Sequence, residues 1–209
     1  MSATALRVGG FVPFTSIDYP GELAAVVFCQ GCPWRCSYCH NPHLLPGTGE
    51  HLLSWVGLVD ELKRRRAFLD AVVFSGGEPT AQSTLAQAIQ DTKALGYKIG
   101  LHTAGCYPQR LEKILPLLDW VGLDIKDMPD RYDTLTGAID SGHKAWQSLE
   151  LLLQAGIPLQ VRTTVHPDMD ASVLATLSAS LSRLGVVNHE LQNCLFTPAS
   201  FYADHLHIG

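Results

Sequence analysis

Four of the six cysteines fall within eleven residues, in the stretch Cys29-Gln-Gly-Cys32-Pro-Trp-Arg-Cys36-Ser-Tyr-Cys39-His-Asn-Pro, and the other two stand alone at 106 and 194. Thiols grouped in this way do not form an evenly spaced disulfide framework, and a chain of 209 residues needs no staples to fold. Metal chemistry is the better reading. The four could hold zinc in a tetrahedral site, or three of them could hold three irons of a [4Fe–4S] cluster and leave the fourth iron open. A structural zinc site built from two Cys-x-x-Cys pairs wants a spacer of about a dozen residues or more between them. Here the pairs 29/32 and 36/39 are three residues apart. The compact unit at 32, 36 and 39 suits a single loop wrapped around a cube-shaped cluster.

Such a loop has to be held by regular elements. Apolar runs of strand length occur at 24–28, 71–74, 97–101, 120–125, 159–164 and 188–192, and segments with helical periodicity at 54–68, 83–95, 109–117, 144–154 and 171–184. Glycines at Leu95-Gly96, Ala155-Gly156 and Leu184-Gly185 close three of the helices. Strand and helix alternate throughout, which predicts an α/β fold with a parallel sheet covered by helices. Six such units in sequence order make about three quarters of an eight-stranded barrel, a partial TIM-type (β/α)6 barrel. Residues 1–209 read as one domain, with a lead-in over 1–23 lying against the sheet, a core over 24–193 and a tail over 194–209. The basic run Lys63-Arg64-Arg65-Arg66 falls near a helix end, where cations suit the dipole, and reads as a solvated helix end.

In a parallel barrel, functional groups gather past the C-terminal ends of the strands. The first predicted strand leads into the cysteine loop, the second into Ser75-Gly76-Gly77-Glu78-Pro79 and the third into His102-Thr103-Ala104-Gly105. The fourth ends in Asp124-Ile125-Lys126-Asp127, the fifth in Arg162-Thr163-Thr164-Val165-His166-Pro167 and the sixth at Gln192. Strand alternation puts Asp124 and Lys126 on one face as a charged pair. An arginine on an apolar strand needs an anionic partner, so Arg162 should meet Asp124 or a bound carboxylate.

With Tyr38 just before the last cysteine, the cysteine spacing resembles the signature of the radical S-adenosylmethionine (SAM) enzymes. The flanking Cys39-His40-Asn41-Pro42 resembles their glycyl-radical-enzyme activases. The resemblance runs from Gly9-Gly10-Phe11 through Gln192. It is nearest to the anaerobic ribonucleoside-triphosphate reductase activating proteins of the longer type, whose lead-in Thr-Ser-Ile-Asp-Tyr-Pro-Gly stands at 15–21. It implies that Cys32, Cys36 and Cys39 ligate one [4Fe–4S] cluster whose open iron chelates the methionine end of S-adenosylmethionine. One electron then cleaves a C–S bond, giving methionine and a 5′-deoxyadenosyl radical that takes hydrogen from a glycine Cα of a large partner enzyme.

The resemblance also implies roles. Tyr38 packs near the adenine, Gly76, Gly77 and Glu78 bind the methionine ammonium, and Asp124 and Lys126 lie beside the ribose and carboxylate. Arg162 approaches the cofactor, Thr103 joins the binding set, and His166 offers backbone contacts near the adenine. At position 102 the related activases commonly carry an aspartate that helps hold a monovalent cation, whereas this chain has His102. Cys29 is left over as a packing thiol, and Cys106 and Cys194 read as ordinary thiols. Residues 40–70 contain no cysteine, so a second cluster is not expected there.

The partner implied is a glycyl radical enzyme, nearest to anaerobic ribonucleoside-triphosphate reductase, with a flavodoxin or ferredoxin as electron donor. A pyruvate formate-lyase-type activase and a small-molecule enzyme of the 7-carboxy-7-deazaguanine synthase kind are the alternatives within the superfamily, and a zinc-binding structural module is the non-enzymatic one. Composition narrows the classes further. A hydrophobic fraction of 46% supports a sizeable core, and a net charge of −5 gives a broad nucleic-acid surface no support. No apolar run approaches the ~18 residues of a spanning helix and the N-terminus lacks a signal-peptide plan, which together predict a cytoplasmic protein with no membrane partner.

Overall fold

Short apolar runs punctuated by glycine fold here as central strands buried on both faces, because helices cover one side and the sheet curls over the other. The computed structural model describes residues 5–166 and 169–194. Its strands are β1 (Val8–Thr15), β2 (Ala24–Cys29), β3 (Ala71–Gly76), β4 (Lys98–Thr103), β5 (Trp120–Asp124), β6 (Leu159–Val165) and β7 (His189–Asn193). They form one seven-stranded sheet in sequence order. β1 runs antiparallel to β2, and every later pair is parallel. The intervening helices are α1 (Trp55–Arg65), α2 (Leu85–Ala94), α3 (Pro108–Ile114), α4 (Tyr132–Thr136), α5 (Ser141–Ala155) and α6 (Ala171–Arg183). The α/β partial barrel is therefore present, with one strand more than the sequence suggests.

That extra strand belongs to the lead-in. Two glycines and a proline disguise β1, but an edge strand tolerates proline, and the register against β2 shifts between Val12 and Thr15, where Pro13 sits. The chain then crosses the inner face of the sheet. Tyr19 packs on Trp120 with ring centroids 5.3 Å apart, and together with Ala24, Val26, Ala71 and Val73 the two rings fill the interior below the strand ends. The larger core lies on the other face, where Val27, Val72, Phe74, Ile99, Leu101 and Leu123 meet the helices.

Several boundaries move for local reasons. β4 continues through His102 and Thr103, which the apolar run alone placed beyond the strand. α5 starts at Ser141 because the Asp133 carboxylate accepts hydrogen bonds from the Asp140 and Ser141 backbone amides and the Ser141 hydroxyl. α3 gives way to a 3-10 turn over Leu115–Leu117, where Pro116 cannot donate to the helix. Arg64 and Arg65 pair with Glu61 on α1, while Arg66 donates to the Leu95 and Gly96 carbonyls. The basic run is thus spent on its own helix and on the end of α2. Among the described residues no helix is long and apolar enough to cross a membrane.

Candidate active site

The cysteine loop leaves β2 and is fastened on three sides. On one side the Gly31 and Cys32 amides donate to the Leu44 and Leu45 carbonyls (2.7 and 3.1 Å). Next to it, the end of β3 comes so close that a Cβ on Gly77 would sit 2.5 Å from the Gly31 carbonyl oxygen, while the Glu78 amide donates to that same oxygen (2.9 Å). Gly76, at φ +114°, leaves no room either, since its Cβ would stand 2.4 Å from the Cys29 nitrogen. On the third side α4 braces the loop. The Arg35 amide donates to the Thr136 carbonyl (2.7 Å), and Trp34 packs edge-on against the fully buried Tyr132. The five-residue α4 carries too little periodicity to be seen in the sequence, so its part in holding the loop emerges only from the structure.

This loop roofs a cavity of about 300 Å³ at the C-terminal ends of the strands. Cys32, Cys36, Cys39 and Tyr38 line one wall, Gly76, Gly77 and Thr103 another, and His102, Asp124, Lys126 and Arg162 the floor. The structure thus brings together groups spread over 130 residues of chain, from Cys32 to Arg162. The three thiols lie near enough that Cys32 and Cys39 both help raise the pKa of Cys36, although burial is the main cause there. Among the described residues no three His, Cys, Asp or Glu side chains converge as a single metal ion would require. A cube that takes one thiolate per iron imposes no such convergence.

The floor is an ion network. Arg162 on β6 reaches to its neighbour Asp124 on β5, with Nε and Nη2 at 3.0 and 2.9 Å from Oδ1. Lys126 stands 3.7 Å from Oδ2 and 5.7 Å from the centre of the Tyr38 ring. Burial works against charge on Asp124, yet Arg162 and Lys126 outweigh it and hold the carboxyl below its usual range. Burial likewise opposes charge on Lys126, but the surrounding acidic groups, Tyr38 and Asp124 foremost, push its pKa well above the ordinary value. His102 moves the other way. Burial, reinforced by the Arg162 guanidinium, lowers it to about 4, so the ring is neutral at physiological pH.

Glu78 is fully buried and does not line the cavity. Its carboxylate accepts from the Thr80 amide and hydroxyl, the Thr103 hydroxyl (2.7 Å) and the Ala104 amide (2.9 Å). It ties the ends of β3 and β4 together from behind. His166 is also buried, with its ring stacked on Tyr38 at 5.6 Å, and Gln192 borders the cavity from β7. Cys29 points into the helix-side core, fully buried, and burial drives its pKa far up. Cys106, expected to be an ordinary thiol, lies beside Cys32 and serves as its hydrogen-bond partner, which lowers the Cys32 pKa. No spacing in the sequence links 106 to 32, because the two meet only through the β4 end. Pro167 and residues 195–209 of the expected tail lie outside the described residues.

Thiols, a glycine-lined wall and an ion network thus meet at the mouth of a partial barrel. Residues 26–178 match the radical SAM superfamily, and the chain belongs to it. A pyruvate formate-lyase-activating enzyme of Clostridium pasteurianum is 34% identical over 75% of this chain and 67% of its own length. A Methanocaldococcus jannaschii protein whose name assigns it as a glycyl-radical enzyme activating enzyme is 30% identical over 77% of this chain and 68% of its own. Among solved structures, Streptococcus suis SuiB bound to S-adenosylmethionine superposes with a TM-score of 0.65 over 81% of this chain, at 12% identity. That likeness concerns the fold alone, and the chain spans only 40% of SuiB.

Membership makes this a radical SAM enzyme whose cofactors are a [4Fe–4S] cluster and S-adenosylmethionine. The site suits both. Its donor set offers three soft thiols on one loop. The Tyr38 hydroxyl and His166 Nε2 are buried with no hydrogen-bond partner among the described residues, which leaves polar atoms available beside the cavity.

Proposed function

We propose that this protein is an activase that installs a glycyl radical on a partner enzyme, with anaerobic ribonucleoside-triphosphate reductase as its target. The observation that carries the reading is the gathering of Cys32, Cys36 and Cys39 with the Asp124, Lys126 and Arg162 network around one cavity, in a chain similar over three quarters of its length to activating enzymes. The lead-in Thr15–Gly21 favours the reductase over other targets, and the lack of cysteine over 40–70 fits an activase with a single cluster.

In this reading Cys32, Cys36 and Cys39 hold the cluster. Gly76, Gly77, Thr103 and the floor residues Asp124, Lys126 and Arg162 receive the methionine and ribose ends of S-adenosylmethionine, and Tyr38 and His166 face its adenine. Glu78 contributes by fixing the backbone of the wall. Bound there and reduced, the cofactors would supply the one-electron chemistry that removes a hydrogen atom from a glycine of the partner. A flavodoxin or ferredoxin supplies the electron, and the need to keep thiols and cluster reduced supports a cytoplasmic location.

The test is to mix the reduced, iron-loaded protein and S-adenosylmethionine with the anaerobic reductase of the same organism and look for a glycyl signal by electron paramagnetic resonance. A doublet on the reductase is expected. A signal only on a pyruvate formate-lyase, the target of the Clostridium relative, would move the assignment there, and cofactor cleavage with no protein radical on either partner would remove the activase reading.

A further inference from the structure

We infer that Gln30 is a positioning residue for the cluster: its carboxamide ties the chain just before Cys32 to the chain just after Cys39, so that the cysteine loop is a ring closed by protein contacts. The inference rests on the ligand set proposed above and concerns what holds those three thiols in register.

Gln30 follows β2 and is buried. Both protons of its amide nitrogen are used, since Nε2 donates to the His43 carbonyl (3.1 Å) and to the Pro46 carbonyl (2.8 Å). The carboxamide oxygen is received between glycines of two separate segments. A Cβ at Gly9, on β1, would strike that oxygen, and one at Gly49 would stand 2.9 Å from it. An ionised glutamate or a methionine of the same length offers no donor for the two carbonyls.

The segment that Gln30 grips is the one that fastens the loop. Leu44 and Leu45, between its two acceptors, present the carbonyls that take the Gly31 and Cys32 amides (2.7 and 3.1 Å), and the Asn41 amide donates to the Cys39 thiol. Gln30 is fixed from behind by the buried Gln82, which follows the turn after β3. The Gln82 side chain pairs with Arg7 as a strand would, accepting from its amide and donating to its carbonyl (both 2.8 Å), and it also donates to the Gln30 carbonyl (3.1 Å). The Arg7 carbonyl takes the Gln30 amide as well (2.9 Å). Two carboxamides thus join the lead-in, the turn after β3 and both ends of the cysteine loop. Freedom that the ring would otherwise lose on taking up a cluster is removed in folding.

The experiment reconstitutes the full chain with iron and sulfide without oxygen, then follows iron loss to a chelator by absorbance, with melts of the iron-free protein beside it. Gln30→Met, which keeps the length of the side chain and removes both donors, should release iron about tenfold faster than the native protein. Gly49→Ala keeps Gln30 but pushes its carboxamide aside, and should accelerate release severalfold in a chain whose core is untouched. Leu177→Ala, a truncation on the buried face of α6, lowers stability by at least as much and should leave release within about twofold of native. Release at the native rate from Gln30→Met would overturn the inference, as would equal acceleration by Leu177→Ala, which would reduce the effect of Gln30 to global stability. Gly49→Ala decides if Gln30→Met fails to fold. A native chain that takes up no iron would instead remove the ligand set and this inference with it.

Discussion

At the scale of single residues, the four clustered cysteines divide by surroundings. Cys32, Cys36 and Cys39 line the cavity, whereas Cys29 is the last residue of β2 and is enclosed by the helix-side core. Replacing any one of the first three with Ala should abolish retention of the cluster. Cys29→Ala should retain it at a stability cost of about 1 kcal/mol, the price of a small core truncation. Iron and sulfide analysis beside a thermal melt separates the outcomes, and iron loss at position 29 equal to that at 32 would mean the ligand set is wrong. The division was legible in the spacing. The engagement of Glu78 was not, because its four donors come from Thr80, Thr103 and Ala104, and only the pairing of β4 beside β3 brings Thr103 and Ala104 within reach.

At the scale of elements, the wall made by the end of β3 exists because two consecutive glycines let the cysteine loop pass over it. Gly77→Ala would drive a methyl into the Gly31 and Leu44 carbonyl oxygens, both backbone atoms that cannot swing aside. The variant should lose about 1–3 kcal/mol of stability and most of its iron on reconstitution, read by denaturant melts and iron content. Full iron loading at unchanged stability would show that the loop does not need this contact. β2 to β6 were readable because each is a short, mainly apolar run with turn residues beside it, whereas β7, His-Glu-Leu-Gln-Asn, holds one apolar residue and is recognised mainly from its place in the alternation. β1 was not, since Gly9, Gly10 and Pro13 read as irregular chain until the edge position and the shifted register explain them. α4 was missed for the opposite reason. Its sequence Tyr-Asp-Thr-Leu-Thr has no period, and its worth lies in Tyr132, which packs on Trp34 and accepts a hydrogen bond from the Lys126 amide (2.7 Å).

At the scale of the whole molecule, the neutral His102 couples stability to acidity. Burial and Arg162 bring its pKa from 6.5 to about 4, so between those values the unfolded chain binds the proton and the folded one does not. Stability therefore falls as pH drops from about 6.5 to about 4, by up to roughly 3 kcal/mol if this group acted alone. Burial lowers His43 and His189 as well, which adds loss in the same direction. Denaturant melts of the reduced full chain across that range should show the decline, and His102→Asn should flatten much of it. An equal slope in the variant would assign the acid sensitivity elsewhere.

The stopper formed by Tyr19 and Trp120 bears on the same network from below. These rings and the valines beside them form a water-poor, low-dielectric backing, so the charges of Arg162, Lys126 and Asp124 are weakly screened on that side. A lead-in segment that only seemed to pad the sheet thereby sets, through Tyr19, the dielectric against which the charged floor is held.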